Sequence, residues 1–187
     1  MTGSLNLSKN LMPKFTLLIG GARSGKSSYA ETLVMAANRP RRYIATAQAW
    51  DEEMGKRIAQ HRKQRGPNWI TIEAPLDLAG ALNDAQKGEI VLVDCATLWL
   101  SNHLLANADL EDESTQLLAA ILACVAPVVI VSNEVGWSIV PDNALARAFR
   151  DAQGRLNQRM AAQADLVIAV MAGLPIVLKG QLPGATI

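Results

Sequence analysis

The chain alternates short, continuous apolar runs with longer segments of mixed polarity. The runs are "FTLLI" at 15–19, "RYIAT" at 42–46, "WITIEA" at 69–74, "EIVLVDC" at 89–95, "PVVIVSN" at 127–133, "DLVIAVMAG" at 165–173 and "LPIVLKG" at 174–180. Each has the length of a strand, and most are apolar at successive positions, as expected of strands covered on both faces. Between them, "SGKSSYAETLVMAA", "DEEMGKRIAQHRKQ", "LDLAGALNDA", "TQLLAAILACV" and "NALARAFRDAQGRLNQRMAAQA" have helical composition. This order predicts an α/β fold, a mostly parallel sheet with helices on both faces. The last two runs are joined too tightly for a crossover helix, so they are predicted to form a C-terminal antiparallel hairpin at one edge.

Length and composition add limits. With 187 residues, half of them hydrophobic, the chain suits one domain over 15–187. Residues 1–14 contain no uninterrupted apolar core and read as a flexible N-terminal extension, and no segment reads as transmembrane. The 18 basic and 17 acidic side chains are mixed along the chain, so no basic stripe suggests a nucleic acid, and a small-molecule partner is expected. Cys95 and Cys124 show no metal-binding spacing and suit reduced, buried thiols of a cytoplasmic protein.

The chemistry enters at Gly20-Gly21-Ala22-Arg23-Ser24-Gly25-Lys26-Ser27, which matches G-x-x-x-x-G-K-[ST] between a predicted strand and a predicted helix. The glycines let backbone N–H groups close around phosphate. Lys26 supplies a cation for the β and γ oxygens, and Ser27 a ligand for Mg²⁺. Asp94, at the end of "VLVD", stands where an acidic residue completes a magnesium site. The guanine-reading N-K-x-D motif of a regulatory GTPase is absent, with "SNEVG" and "DCAT" at the corresponding places. A small-molecule kinase and a nucleotidyltransferase both remain.

Of the two histidines, His103 follows an apolar run and is expected to pack or to hydrogen-bond. His61 lies among Arg57, Arg62, Lys63 and Arg65, with Asp51, Glu52 and Glu53 at the start of its predicted helix. Composition alone reads it as a helix-surface histidine among solvated charges. The same cations would also keep the imidazole neutral and nucleophilic and could hold a triphosphate against it. Asn133 and Glu134, at a strand's C-terminal end, are candidates for substrate or metal contact. Arg147, Arg150, Arg155 and Arg159 on the last helix could include a phosphate clamp.

Read in order, the phosphate loop, "YIATA", "DEEM..RI..HR..R", "W.T.E.P", "LVDC.T.W..N", "NEVG..IVP.N.LAR.FRD..GRLNQ..A" and "G.P..LK" resemble the bifunctional adenosylcobinamide kinase / adenosylcobinamide-phosphate guanylyltransferase family, over about residues 15 to 180. The resemblance implies a P-loop NTPase fold of the RecA-like kind and two reactions in adenosylcobalamin biosynthesis. ATP or GTP phosphorylates adenosylcobinamide, and GTP then donates GMP to that phosphate, giving adenosylcobinamide-GDP and pyrophosphate. It also implies that His61, which matches the family's "RI..H", carries GMP as a phosphoramidate, with Lys26 as its catalytic partner. Nucleotide contacts are implied for Gly20 to Ser27, for Ala45, Thr46 and Ala47, for Arg62, Lys63, Gln64 and Arg65, and for Glu73 and Asp94. Some family members carry Glu at the position of Asp94. The resemblance further implies Mg²⁺, held by Ser27 and Asp94, and a homotrimer. Because His61 stands about 35 residues beyond Lys26, its helix is expected to move to bring the ring to the α-phosphate. A kinase without nucleotidyl transfer and a non-catalytic nucleotide-binding module are the alternatives.

Overall fold

The computed structural model describes residues 12–48, 68–137 and 139–184. Seven strands occupy the seven apolar runs: β1 (Phe15–Gly20), β2 (Arg41–Ala45), β3 (Trp69–Glu73), β4 (Ile90–Asp94), β5 (Val128–Asn133), β6 (Leu166–Met171) and β7 (Leu174–Lys179). The described helices are α1 (Lys26–Ala36), α2 (Leu78–Asn83), α3 (Ala96–Leu105), α4 (Leu110–Ala123) and α5 (Ala144–Gln163). The strands form one sheet in the order β3-β2-β4-β5-β1-β6-β7, parallel throughout except for the β6–β7 pair.

Successive residues of the inner strands enter opposite layers. Leu17, Val93, Ile130 and Val167 pack with Leu82, Trp99, Ile121 and Leu156 of α2 to α5. Leu18, Leu92, Val131 and Ile168 pack with Ala30 and Val34 of α1 on the other face. The continuous apolar runs are explained by this double coverage. β7 differs: Leu174 to Lys179 are exposed at every position. The hairpin expected at the edge is present, and Ala172 and Gly173, at φ 51° and 79°, form its two-residue turn. Both positive φ values suit a turn whose twist matches the flanking strands.

Two helical details differ from the sequence pattern. α3 is a helix that the pattern does not announce, since it is apolar around much of its circumference and follows β4 without a capping side chain. α4 begins at Leu110, ahead of the apolar run that signals it. The Asp109 carboxylate caps it by accepting from the Glu111 and Asp112 N–H groups, with Glu111, Asp112 and Glu113 in the favourable first turn. Met12, of the N-terminal segment, is buried against the α1 layer, and Lys14 Nζ donates to the Leu122 carbonyl at 2.6 Å. Both cysteines are free and buried. Among the described residues no helix is long and apolar enough to cross a membrane.

Candidate functional site

The parallel strands end along one edge, and the register across the sheet places the candidate residues in a row. Ala45 is level with Glu73 on one side and with Asp94 on the other. Asp94 is level with Val131, and Gly20 with Asn133. The phosphate loop thus shares its edge with Asp94 and with the loops after β2, β3 and β5. β3 stands four strands from β1, about 19 Å at the usual strand spacing. Glu73 is exposed at that far end.

The loop from Gly20 to Ser27 needs its glycines for definite reasons. A Cβ on Gly20 would lie 2.5 Å from the Val170 carbonyl oxygen. Gly25 opens α1 at φ 91°, where a side chain is strained, and its Cβ would meet Gly173 Cα at 3.1 Å. Gly173, in the hairpin turn, donates its N–H to the Ser24 carbonyl at 2.8 Å. The C-terminal hairpin therefore props the phosphate loop, a role the sequence does not disclose. Arg23 takes a left-handed conformation at φ 56° and, like Ala22, is exposed. Ser24 is buried, with a hydroxyl that has no partner.

Lys26 is 8% exposed, and its Nζ donates to the Gly21 carbonyl at 3.0 Å, which holds the ammonium across the loop. Burial lowers its pKa, opposed by Cys95 and Asp94. The Cys95 thiol, pushed up to about 12 by burial and by Asp94, is neutral near pH 7, so Asp94 is the working counter-charge. Ser27 lies in the first turn of α1. Asp94 closes β4 and is half-buried.

Helix α3 fastens the loops around this edge through side chains of the "LVDC.T.W..N" stretch. Asn102 donates to the carbonyls of Thr46 and Pro75, both at 2.9 Å. Trp99 Nε1 donates to the Leu76 carbonyl at 2.9 Å, and Thr97 Oγ1 accepts the Asn133 N–H at 2.7 Å. Thr46 is fully buried, its hydroxyl donating to the Cys95 carbonyl and accepting the Cys95 N–H at 2.7 and 2.8 Å. That side chain is committed to joining β2 to β4, which leaves Ala45 and Ala47, both half-buried, and the backbone to face a ligand.

His103 is buried, as expected. Its ring packs on Trp99 with centroids 4.7 Å apart, and Nε2 lies 3.2 Å from the Leu76 carbonyl. It borders a cavity of about 240 Å³ with Leu76, Trp99, Glu113 and Leu117, a space formed by α2, α3, α4 and the loop after β3 rather than by the phosphate loop. The arginines of α5 have protein partners. Arg155 and Arg159 bind Glu111 at 3.2 and 2.9 Å, Arg150 binds Asp151 at 2.9 Å, and Arg147 donates to the carbonyls of Pro141 and Asp142. His61, Arg62, Lys63, Gln64 and Arg65, and with them the expected movement of the His61 helix, lie outside the described residues. The chain passes Gln48 just beyond the C-terminal end of β2, at the edge that carries the phosphate loop, and is next described at Asn68, before β3.

Comparison with known proteins agrees with this geometry. Residues 16–178 match the family model described as "Cobinamide kinase / cobinamide phosphate guanyltransferase". The chain is 45% identical over 168 residues to the bifunctional adenosylcobalamin biosynthesis protein CobP of Pseudomonas aeruginosa, covering 88% of this chain and 97% of that protein. It is 41% identical over 179 residues to the protein CobU of Salmonella typhimurium, covering 87% and 98%. Among solved structures, it resembles the flagellar accessory protein FlaH of Methanocaldococcus jannaschii, with TM-score 0.52, 12% identity, and 93% and 83% of the two chains covered. It also resembles an ATPase of a bacterial type III secretion system, with TM-score 0.54, 11% identity, and 88% and 56% covered. These likenesses bear on the fold, which is the P-loop, RecA-like one expected from the sequence.

Proposed function

Because the chain belongs to the cobinamide kinase / cobinamide phosphate guanyltransferase family, we propose that it carries out both reactions of adenosylcobinamide at one nucleotide site, with His61 as the carrier of GMP. The observation that carries this reading is the edge on which the phosphate loop, the buried Lys26 and Asp94 meet. In the first reaction the aminopropanol hydroxyl of adenosylcobinamide takes the γ-phosphoryl group of ATP or GTP. In the second, a neutral His61 attacks the α-phosphorus of GTP, pyrophosphate leaves, and GMP passes to adenosylcobinamide phosphate.

The residues divide the work by position. The backbone N–H groups from Gly20 to Ser27 and the Lys26 ammonium bind the phosphates, which are transferred in one reaction and leave in the other. Ser27 and Asp94 offer a hydroxyl and a carboxylate, hard oxygen donors that suit Mg²⁺ and would hold it. When bound, the ion neutralises charge on the phosphate oxygens. The loop Ala45 to Ala47 and Glu73 stand progressively further from β1, which suits the ribose and base rather than the phosphates. His61 and the basic residues Arg62, Lys63 and Arg65, with Gln64, follow the stretch that leaves β2 at this same edge. Incubation with α-labelled GTP should leave acid-labile, alkali-stable label on the chain, recovered in the peptide containing His61. Phosphorylation of cobinamide without any such label would reduce the protein to its kinase activity.

Assembly belongs to the same reading. We place the enzyme in the cytoplasm, where its unpaired Cys95 and Cys124 are at home, and assign it a homotrimer. In support, the edge strand β7 presents Leu174, Ile176 and Leu178 to solvent, at 68%, 47% and 58% exposure. Such an exposed apolar edge is a ready surface for another chain. Sedimentation should give three times the 20.1 kDa chain mass, and Ile176→Lys should reduce it to one; a native monomer would remove the assignment.

A further inference from the structure

Beside the phosphate loop, a carboxylate is tied to a buried cluster of polar side chains. Glu134 follows β5, the strand next to β1, and its N–H donates to the carbonyl of Gly20, the first residue of the loop, at 3.0 Å. Asn157 Nδ2 donates to Glu134 Oε1 at 2.9 Å and to the Asn133 carbonyl at 3.1 Å. Asn157 is itself fixed: Oδ1 accepts from Ser132 Oγ at 2.6 Å and from Gln153 Nε2 at 3.0 Å, and Gln153 also donates to Ser132 Oγ at 2.9 Å. From the opposite side Thr97 accepts the Asn133 N–H. Ser132 and Gln153 are fully buried and Asn157 nearly so, while Glu134 is half-buried at the surface of the site.

A buried amide and hydroxyl cluster adds little net stability, on the order of 1 kcal/mol for each hydrogen bond. This one leaves the Gln153 carbonyl oxygen without a partner. An apolar pair on α5 would fill the same space at lower cost, so what the cluster secures is the position of its one charged member. Asp94, the carboxylate acting on Lys26, already serves the cation side of the site. Glu134 has one oxygen tied to Asn157.

We propose that Glu134 is the general base of the kinase step, with Asn157 and Gln153 as positioning residues. This rests on the reading that adenosylcobinamide is phosphorylated at this loop. The substrate hydroxyl gives its proton to the Glu134 carboxylate as its oxygen forms the bond to the γ-phosphorus. The bond between that phosphorus and the bridging oxygen breaks, releasing the nucleoside diphosphate, and the carboxylic acid then returns the proton to water. Guanylyl transfer begins with attack by a neutral imidazole and has no hydroxyl proton to remove, so it does not need this group.

The test compares the two reactions in the full chain. Glu134→Gln should lower kcat for phosphorylation of cobinamide by about 10²-fold or more, the scale of lost general-base catalysis. The nucleotide KM and the labelling of the protein by α-labelled GTP should stay within about threefold of wild type, well below that loss. Glu134→Asp, which keeps the acid, should retain more turnover than the Gln variant, and Asn157→Ala should lose an intermediate amount. Kinase turnover unchanged in Glu134→Gln, equal loss in Gln and Asp variants, or a parallel fall in kinase and labelling would overturn the assignment. Absence of label in the wild-type protein would instead count against His61 alone, since kinase kcat still reports on Glu134.

Discussion

Lys26→Met should abolish phosphorylation of cobinamide and guanylylation of the protein together, each by about 10²- to 10³-fold, the usual cost of removing one preorganised donor from a site of developing charge. The side chain is almost fully buried, and its ammonium is held by the Gly21 carbonyl within the loop. It is therefore held within the loop before substrate arrives. In the kinase reaction those oxygens belong to the group transferred and the diphosphate left behind; in guanylyl transfer they belong to pyrophosphate. One cation serves both if one loop holds both nucleotides. Labelling that persists when kinase turnover is lost would mean two nucleotide sites and would end the single-site reading. A folding defect would not confuse the result. Burial penalises the charged form of Lys26 and lowers its pKa, so an apolar replacement of similar length should leave the melting temperature unchanged or raised.

The sequence disclosed some parts of this site and concealed others, for physical reasons. Strands such as β4 and β5 were legible because both faces are covered, so each opens with four successive apolar positions and a carboxylate at the end of β4, Asp94, stands out. The phosphate loop was legible because phosphate binding demands glycines at fixed places, and Gly20 and Gly25 do lie where a Cβ would collide or strain. α3 was hidden because Trp99, Leu100, Asn102 and His103 are all buried, which erases the period of a half-exposed helix. Gln153 and Asn157 were hidden for the opposite reason. Polar side chains four residues apart on α5 read as a solvent face, whereas here they point inward to hold Glu134. The resemblance gave Thr46 a place beside the nucleotide, yet its hydroxyl is spent on Cys95, a use that no local pattern records.

His61→Ala should separate the two reactions that Lys26→Met removes together. With the imidazole gone no phosphoramidate forms, so label from α-labelled GTP should vanish and conversion of cobinamide phosphate to cobinamide-GDP should fall by at least about 10³-fold, since the nucleophile itself is missing. Phosphorylation of cobinamide should stay within about threefold, because the groups assigned to the γ-phosphate lie at the end of β1, in the loop after it, in α1 and at the end of β4, and none of them is replaced. The contrast with Glu134→Gln is the decisive part. One variant removes only the guanylyl transfer, the other only the kinase step, and Lys26→Met removes both. That set of outcomes fits a single triphosphate held in one place, with a base near the γ end and a nucleophile for the α-phosphorus. If His61→Ala also lost the kinase reaction, the histidine would be part of the nucleotide's binding surface rather than the carrier of GMP. Full labelling of the variant would assign the covalent step to another residue.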